Sequence, residues 1–220
     1  MHTGKQYSFK EVILWTRKDI YFLFIIATVP TCLFVFFDLT WLAIPWLPIA
    51  LLGTAVAFVV GFKNNASYDR LWEARKIWGA IVNSSRSWGI MVKDFISDKH
   101  AVATVHDEEL KKQRQQLIYR HFAWLTALRY QLREPRIWES VYQQHNAEYK
   151  NKYFTVDEHE NKIGEAIKPF LYAEEFESVM SKSNRATQII ANQSGQLKAL
   201  LAAGLIEDFR HMELEKLLVE

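Results

Sequence analysis

The chain has a single cysteine, Cys32, so no intrachain disulfide can form, which suits a body facing a reducing compartment. It has no glycine-rich phosphate loop, and the patterns HExxH, CxxC and GxSxG are all missing. The strong signatures of nucleotide, zinc, dithiol and serine-hydrolase chemistry are therefore absent. Charge of one sign is lacking too: 27 Lys and Arg stand against 25 Asp and Glu, a formal net charge of +2. The basic residues are interleaved with acids, a poor footprint for nucleic acid. The seven histidines are scattered, and pairs such as His100/His106 or His121/His145 lack the companion acids of a metal site, so they read as surface or interhelical polar groups. Asp107, Glu108 and Glu109 suit the first turn of a helix better than a cation. No cofactor, metal or catalytic residue is expected.

What the chain does have is an apolar run. From Ile20 to Phe62 the only charge is Asp38, whereas the mean hydropathy of the whole chain, -0.12, conceals the segment. About 20 apolar residues cross a bilayer core, so the run holds two crossings, roughly Ile20 to Phe37 and Trp46 to Phe62, joined near Asp38 and the Pro45/Pro48 pair. The first contains Pro30 and a kink is expected there, while the second carries the small residues Ala50, Gly53, Ala55 and Ala57 that let membrane helices approach closely. The run is too long for a cleaved leader and has no A-x-A-like site before the second span.

Basic residues enrich the cytoplasmic flanks of membrane helices. Lys5, Lys10, Arg17 and Lys18 precede the first span, Lys63, Arg70, Arg75 and Lys76 follow the second, and the Asp38 turn has none. Both chain ends are thus expected in the cytoplasm, with the protein multi-pass in the cell (inner) membrane. Residues 1–19 form a cytoplasmic or interfacial arm, in which Phe9, Val12, Ile13, Leu14 and Trp15 suggest a short helix, lying in the membrane interface or docked on a soluble body. Residues 20–62 form the hairpin, and 63–220 a cytoplasmic helical domain.

In that domain Leu71, Ala74, Trp78, Ile81, Ser85, Trp88, Val92 and Phe95 recur at the spacing of one helical face, so the second span is expected to continue past Phe62. Leu110 to Leu132 reads as a further helix, with Leu117, His121, Trp124, Leu125 and Leu128 on one side, and a short one opens at Pro135. Asn151 to Lys168 is polar and reads as a loop or small hairpin. Tyr172 to Asn192 and Gln196 to Glu220 are helical, interrupted at Ser194-Gly195 and at Gly204.

The most specific segment is GFKNNASYDRLWEARKIWG, Gly61 to Gly79. It resembles the bestrophin family of ion channels, particularly the prokaryotic branch, and weaker similarity covers Asn184-Arg185 and Gly195-Gln196-Leu197 to Phe209. The resemblance implies an all-α membrane protein in which five copies surround an axis, each giving its second membrane helix to a narrow neck. It also implies four membrane helices per subunit, of which this chain supplies two, so the sequence reads as truncated before a further pair. Matched onto the family pattern, the neck falls on Thr54, Phe58 and Phe62, residues four apart that otherwise would pack or face lipid. A cytoplasmic constriction falls on Phe209, with Ile206 as the near alternative. Asn64, Asn65, Tyr68, Asp69, Arg70, Trp72, Glu73 and Arg75 form a structural motif at the membrane boundary. The implied function is passive conduction of monovalent ions, anions such as chloride or cations, by a homo-oligomer whose partners are lipid and the permeant ions. A membrane-anchored helical scaffold without conductance is the alternative.

Overall fold

The computed structural model describes residues 9–43, 45–101, 104–134 and 157–219. Every regular element among them is helical: α1 (Phe9–Phe37), a 3-10 turn (Thr40–Leu42), α2 (Trp46–Phe95), α3 (Asp107–Arg133), α4 (Asp157–Glu160), α5 (Ile163–Ile167), a 3-10 turn (Lys168–Phe170), α6 (Ala173–Met180), α7 (Arg185–Ala202) and α8 (Asp208–Val219). The described residues separate into two compact units that divide between Glu73 and Ala74, the first holding α1 and the start of α2, the second everything later.

In the first unit α1 and α2 each contain a stretch long and apolar enough to cross a membrane, with none of its most apolar window buried. Bilayer interiors offer no water to free polar groups, and two hydroxyls bond to the backbone: Thr31 Oγ1 donates to the Ala27 carbonyl at 2.8 Å and Thr54 Oγ1 to Ala50 at 3.0 Å. Pro30 sits inside α1, where it leaves the Ile26 carbonyl without its usual donor. The turn is tight because Asp38 adopts a left-handed conformation, φ 48°, which Asp tolerates better than most residues. The separate short helix expected around Phe9 to Trp15 is instead the first part of α1. Neither Gly nor Pro occurs between Phe9 and Ile20, so nothing ends that helix.

The second unit is a helical bundle with two cores. Trp88 and Val92 of α2, and Ile96 just past its end, meet Leu110 and Leu117 of α3, Leu197 and Leu200 of α7, and Leu214 of α8. Further along α3, Ala123 and Ala127 pack with Ile167, Val179, Ala186 and Ile189; small residues one turn apart on α3 let its neighbours come close. The end of α2 is pinned twice. Arg114 Nη2 donates to the Ile96 carbonyl at 2.6 Å, and the Ser97 N–H donates to the Leu205 carbonyl at 3.0 Å.

Three boundaries differ from the sequence expectation. α7 runs unbroken through Ser194-Gly195: one exposed glycine costs a helix only about 1 kcal/mol, and the buried residues around it hold the register. The break falls earlier, at 181–184, where Asn184 caps α7 and its Oδ1 accepts the Thr187 N–H at 3.1 Å. The polar stretch before Lys168 contains the helical turns α4 and α5 in its described part rather than a loop or hairpin, because Ile163 and Ile167 supply a one-turn apolar pair that the core takes up. Its earlier residues and the segment opening at Pro135 lie outside the described residues. The expected break at Gly204 is present. Gly204 has φ +71°, the Leu205 N–H donates to the Leu200 carbonyl and the Gly204 N–H to Leu201, each at 2.9 Å, a glycine-dependent helix stop. The His100 carbonyl fills the space a Cβ at Gly204 would need.

Candidate functional site on the second helix

α2 is 50 residues long, about 75 Å at 1.5 Å per residue. Gly53 and Gly61 do not break it, and nothing in the chain approaches either within 4 Å of a notional Cβ. Thr54, Phe58 and Phe62 therefore lie on one unbroken helix, each step of four residues rising about 6 Å and turning about 40° past a full revolution. Phe58 is 64% exposed and Phe62 71%, so none of the described residues covers the stripe. Between Trp46 and Phe62 the helix has no ionisable side chain. Thr54 is less polar than its residue type suggests, since its only proton is already given to the Ala50 carbonyl.

The boundary motif follows directly on the same helix. Asn64, Asn65, Tyr68, Asp69, Arg70, Trp72, Glu73 and Arg75 are all exposed, and Ser67 Oγ among them donates back to the Lys63 carbonyl at 2.8 Å. The two candidates for a second constriction separate sharply. Phe209, in the first turn of α8, is 83% exposed, whereas Ile206 is 3% exposed and belongs to the core with Leu205 and Leu214. Among the described residues, no three His, Cys, Asp or Glu side chains come together as metal ligands would.

The bundle also holds polar groups that residue type alone did not single out. Arg120 pairs with Glu175 in a two-pronged contact, Nε to Oε1 at 2.7 Å and Nη2 to Oε2 at 2.9 Å. Arg120 Nη1 donates to Gln196 Oε1 at 2.5 Å, and Asn192 Nδ2 to Glu175 Oε1 at 2.9 Å. The pair joins α3 to α6 and the amides add α7, with the charges half satisfied by each other and half by amides, as buried ions require. At the next position of α3, burial pushes the His121 imidazole down from 6.5 to about 4. The signal for the network was the placement of Gln196 in step with Ile189, Leu197 and Leu200, a glutamine at a core position of an amphipathic helix.

Residues 10–220 match the family model described as Bacterial/Fungal Bestrophin protein. A voltage-dependent anion channel-forming protein of Ralstonia nicotianae is 60% identical over 40 residues, 18% of this chain and 13% of the relative. A protein of the same description from Escherichia coli K12 is 46% identical over 55 residues, 25% of this chain and 18% of the relative. Two mutant crystal structures of a bacterial bestrophin homolog from Klebsiella pneumoniae superpose with TM-scores of 0.64 and 0.68, each at 17% identity, covering 87% and 95% of this chain. The chain spans 58% and 62% of those structures. With two helices whose most apolar windows are wholly unburied and a family match over nearly its full length, this chain is a membrane protein and belongs to the bacterial and fungal bestrophin family.

Proposed function

We propose that α2 lines the neck of a passive ion channel in which five copies of the chain surround an axis. The observation that carries this is the uncovered stripe of Thr54, Phe58 and Phe62 on an unbroken helix free of ionisable side chains. Repeated fivefold, it gives stacked rings of low polarity that an ion passes only by shedding part of its hydration shell, the condition for gating by dewetting. The boundary motif, Asn64 to Arg75, joins neighbouring subunits through polar contacts, and the bundle from Ala74 onward forms a vestibule in the cytoplasm, with both chain ends on that side of the cell membrane. Phe209 forms the exit constriction in preference to Ile206, because an exposed ring can face a lumen and a core isoleucine cannot. The permeant species are monovalent ions, anions first, in keeping with the relatives named for anion-channel formation. Conduction needs no covalent chemistry, and the chain acts as a channel rather than as an enzyme.

The test is single-channel recording of the purified protein in planar bilayers under asymmetric salt. Phe58→Ala and Phe62→Ala widen the rings and raise unitary conductance severalfold, and the reversal potential gives the sign of the ion. Silence from a well-folded oligomer rejects conduction and leaves a membrane-anchored scaffold. A detergent particle far from the mass of five protomers rejects the pentamer.

A further inference from the structure

The ring of Phe209 is exposed, so packing among the described residues leaves it free, and where it stands depends on the backbone that carries it. That backbone is tied down on both sides. Before it, the Leu205 carbonyl accepts the Ser97 N–H at 3.0 Å, Ile206 is buried in the core, and Gly204 lies against the His100 carbonyl. After it, the Arg210 guanidinium sits over the Phe95 ring, 5.5 Å from the centroid. Phe95 is the last residue of α2, and Ser97 and His100 belong to the short connection that follows. The first turn of α8 is thus attached to the end of α2.

Glu207 gathers further links at one carboxylate. Its Oε1 lies 2.9 Å from His100 Nε2 and its Oε2 3.1 Å from Arg210 Nε. A carboxylate has no proton to give, so the imidazole and the guanidinium both donate. The Glu207 carbonyl accepts the His211 N–H at 2.8 Å, and α8 starts at the next residue. One residue therefore begins the helix with its backbone and, with its side chain, holds that helix to the connection after α2. The His100, Glu207 and Arg210 side chains are all partly exposed, and ion pairs in contact with water contribute little to global stability. What two donors on opposite oxygens of one acid do fix is the place of the turn between them.

We infer that Glu207 is a positioning residue for the exit: by clamping the first turn of α8 to the end of α2 through His100 and Arg210, it sets where the Phe209 ring stands and so the width of the exit. This rests on the reading of Phe209 as the exit ring. Glu207 acts through that ring rather than on the ion, since its carboxylate already accepts two hydrogen bonds from cationic or donor side chains of its own chain.

Glu207→Gln tests the clamp at constant size, because an amide has one acceptor oxygen where the carboxylate has two, so one donor must be released. Hydrogen exchange followed by mass spectrometry on the whole detergent-solubilised protein reads the clamp independently of conduction. Glu207→Gln is expected to speed exchange in residues 204–212 by about two- to fivefold, the factor that links of this exposure supply, and to leave α3 unchanged. His100→Ala is expected to do the same, and His100→Gln, which keeps an N–H at the reach of Nε2, to restore slow exchange. Single-channel recording reads the consequence. Phe209→Ala is expected to raise unitary conductance, and Glu207→Gln to raise it by a smaller factor. In a Phe209→Ala background Glu207→Gln is expected to add nothing, the non-additivity of residues that act as one. Unchanged exchange in Glu207→Gln overturns the proposal. So does a conductance effect of Glu207→Gln that persists without the Phe209 ring, which makes Glu207 a charge acting on the ion. Faster exchange with unaltered conductance, where Phe209→Ala does alter it, removes the positioning role and keeps the exit ring. If Phe209→Ala itself leaves conductance unaltered, the exit reading fails and the positioning role falls with it, whatever the exchange shows.

Discussion

The two halves of α2 follow one apolar period and meet opposite surroundings. Before Glu73 the helix is uncovered, with Leu71 70% exposed; after Ala74 it is progressively packed, until Trp88 is 2% exposed and Val92 wholly buried. Leu71 and Trp88 belong to the same stripe, five turns apart. Periodicity states which face of a helix is apolar and is silent about what covers it. In the second half α3, α7 and α8 of the same chain do so; in the first, none of the described residues does.

The largest effect expected from this difference is on stability. Trp88→Ala opens a void in the bundle and lowers its unfolding free energy by about 3–5 kcal/mol. Leu71→Ala, on the same stripe, changes it by less than about 0.5 kcal/mol. Unfolding followed by near-UV CD at fixed detergent concentration measures both, and comparable losses at the two positions would break the distinction between the halves.

The next effect sharpens how the packed half is held. His121 stacks on Trp88 with ring centroids 6.0 Å apart and lies 5.2 Å from the Trp124 ring, Ser85 takes its N–H, and no charged residue lines the cavity beside it. Its pKa is depressed by burial from 6.5 to about 4, so the unfolded chain takes up a proton in that window that the folded bundle refuses. The contribution is complete above about pH 6.5 and is lost as pH falls towards 4. It amounts to about 2–3 kcal/mol once its partial exposure is allowed for. His121→Phe should flatten this part of the stability profile; an unchanged slope between pH 6.5 and 4 would assign it to other groups.

What could be read from the residues, and what could not, divides along the same line. The hairpin, the continuation of α2 and the stop at Gly204 rest on local chemistry: length of apolar run, helical period, and a residue able to take positive φ. The cap at Asn184 and the unbroken passage through Gly195 do not. A glycine's cost of about 1 kcal/mol is outweighed by core residues on either side, and the capping hydrogen bond depends on where the chain must turn to bring α6 beside α7. The Arg120, Glu175 and Gln196 network joins residues from separate helices, a pairing that no single helical face discloses. At Ile206 and Phe209, three residues apart, only tertiary packing decided which was core.

The smallest effect expected is at Thr54, and it bears on the uncovered half. A threonine ring in an apolar neck would be a wet step if its hydroxyls pointed their protons at the ions. Here each proton is held by the Ala50 carbonyl at 3.0 Å, one turn back along the helix, a bond worth more where water is scarce. In the proposed neck, what would remain for the lumen is a methyl group and an oxygen that can only accept. Valine has nearly the same shape, so Thr54→Val should change stability by less than about 0.5 kcal/mol and unitary conductance by less than about twofold, a change in barrier smaller than RT. Phe58→Ala, one turn on, alters ring width and should act several times more strongly in the same recordings. If Thr54→Val instead silences the channel, the hydroxyls turn from the backbone to the permeant ion, and the first ring of the neck is a polar coordination site rather than part of the apolar one.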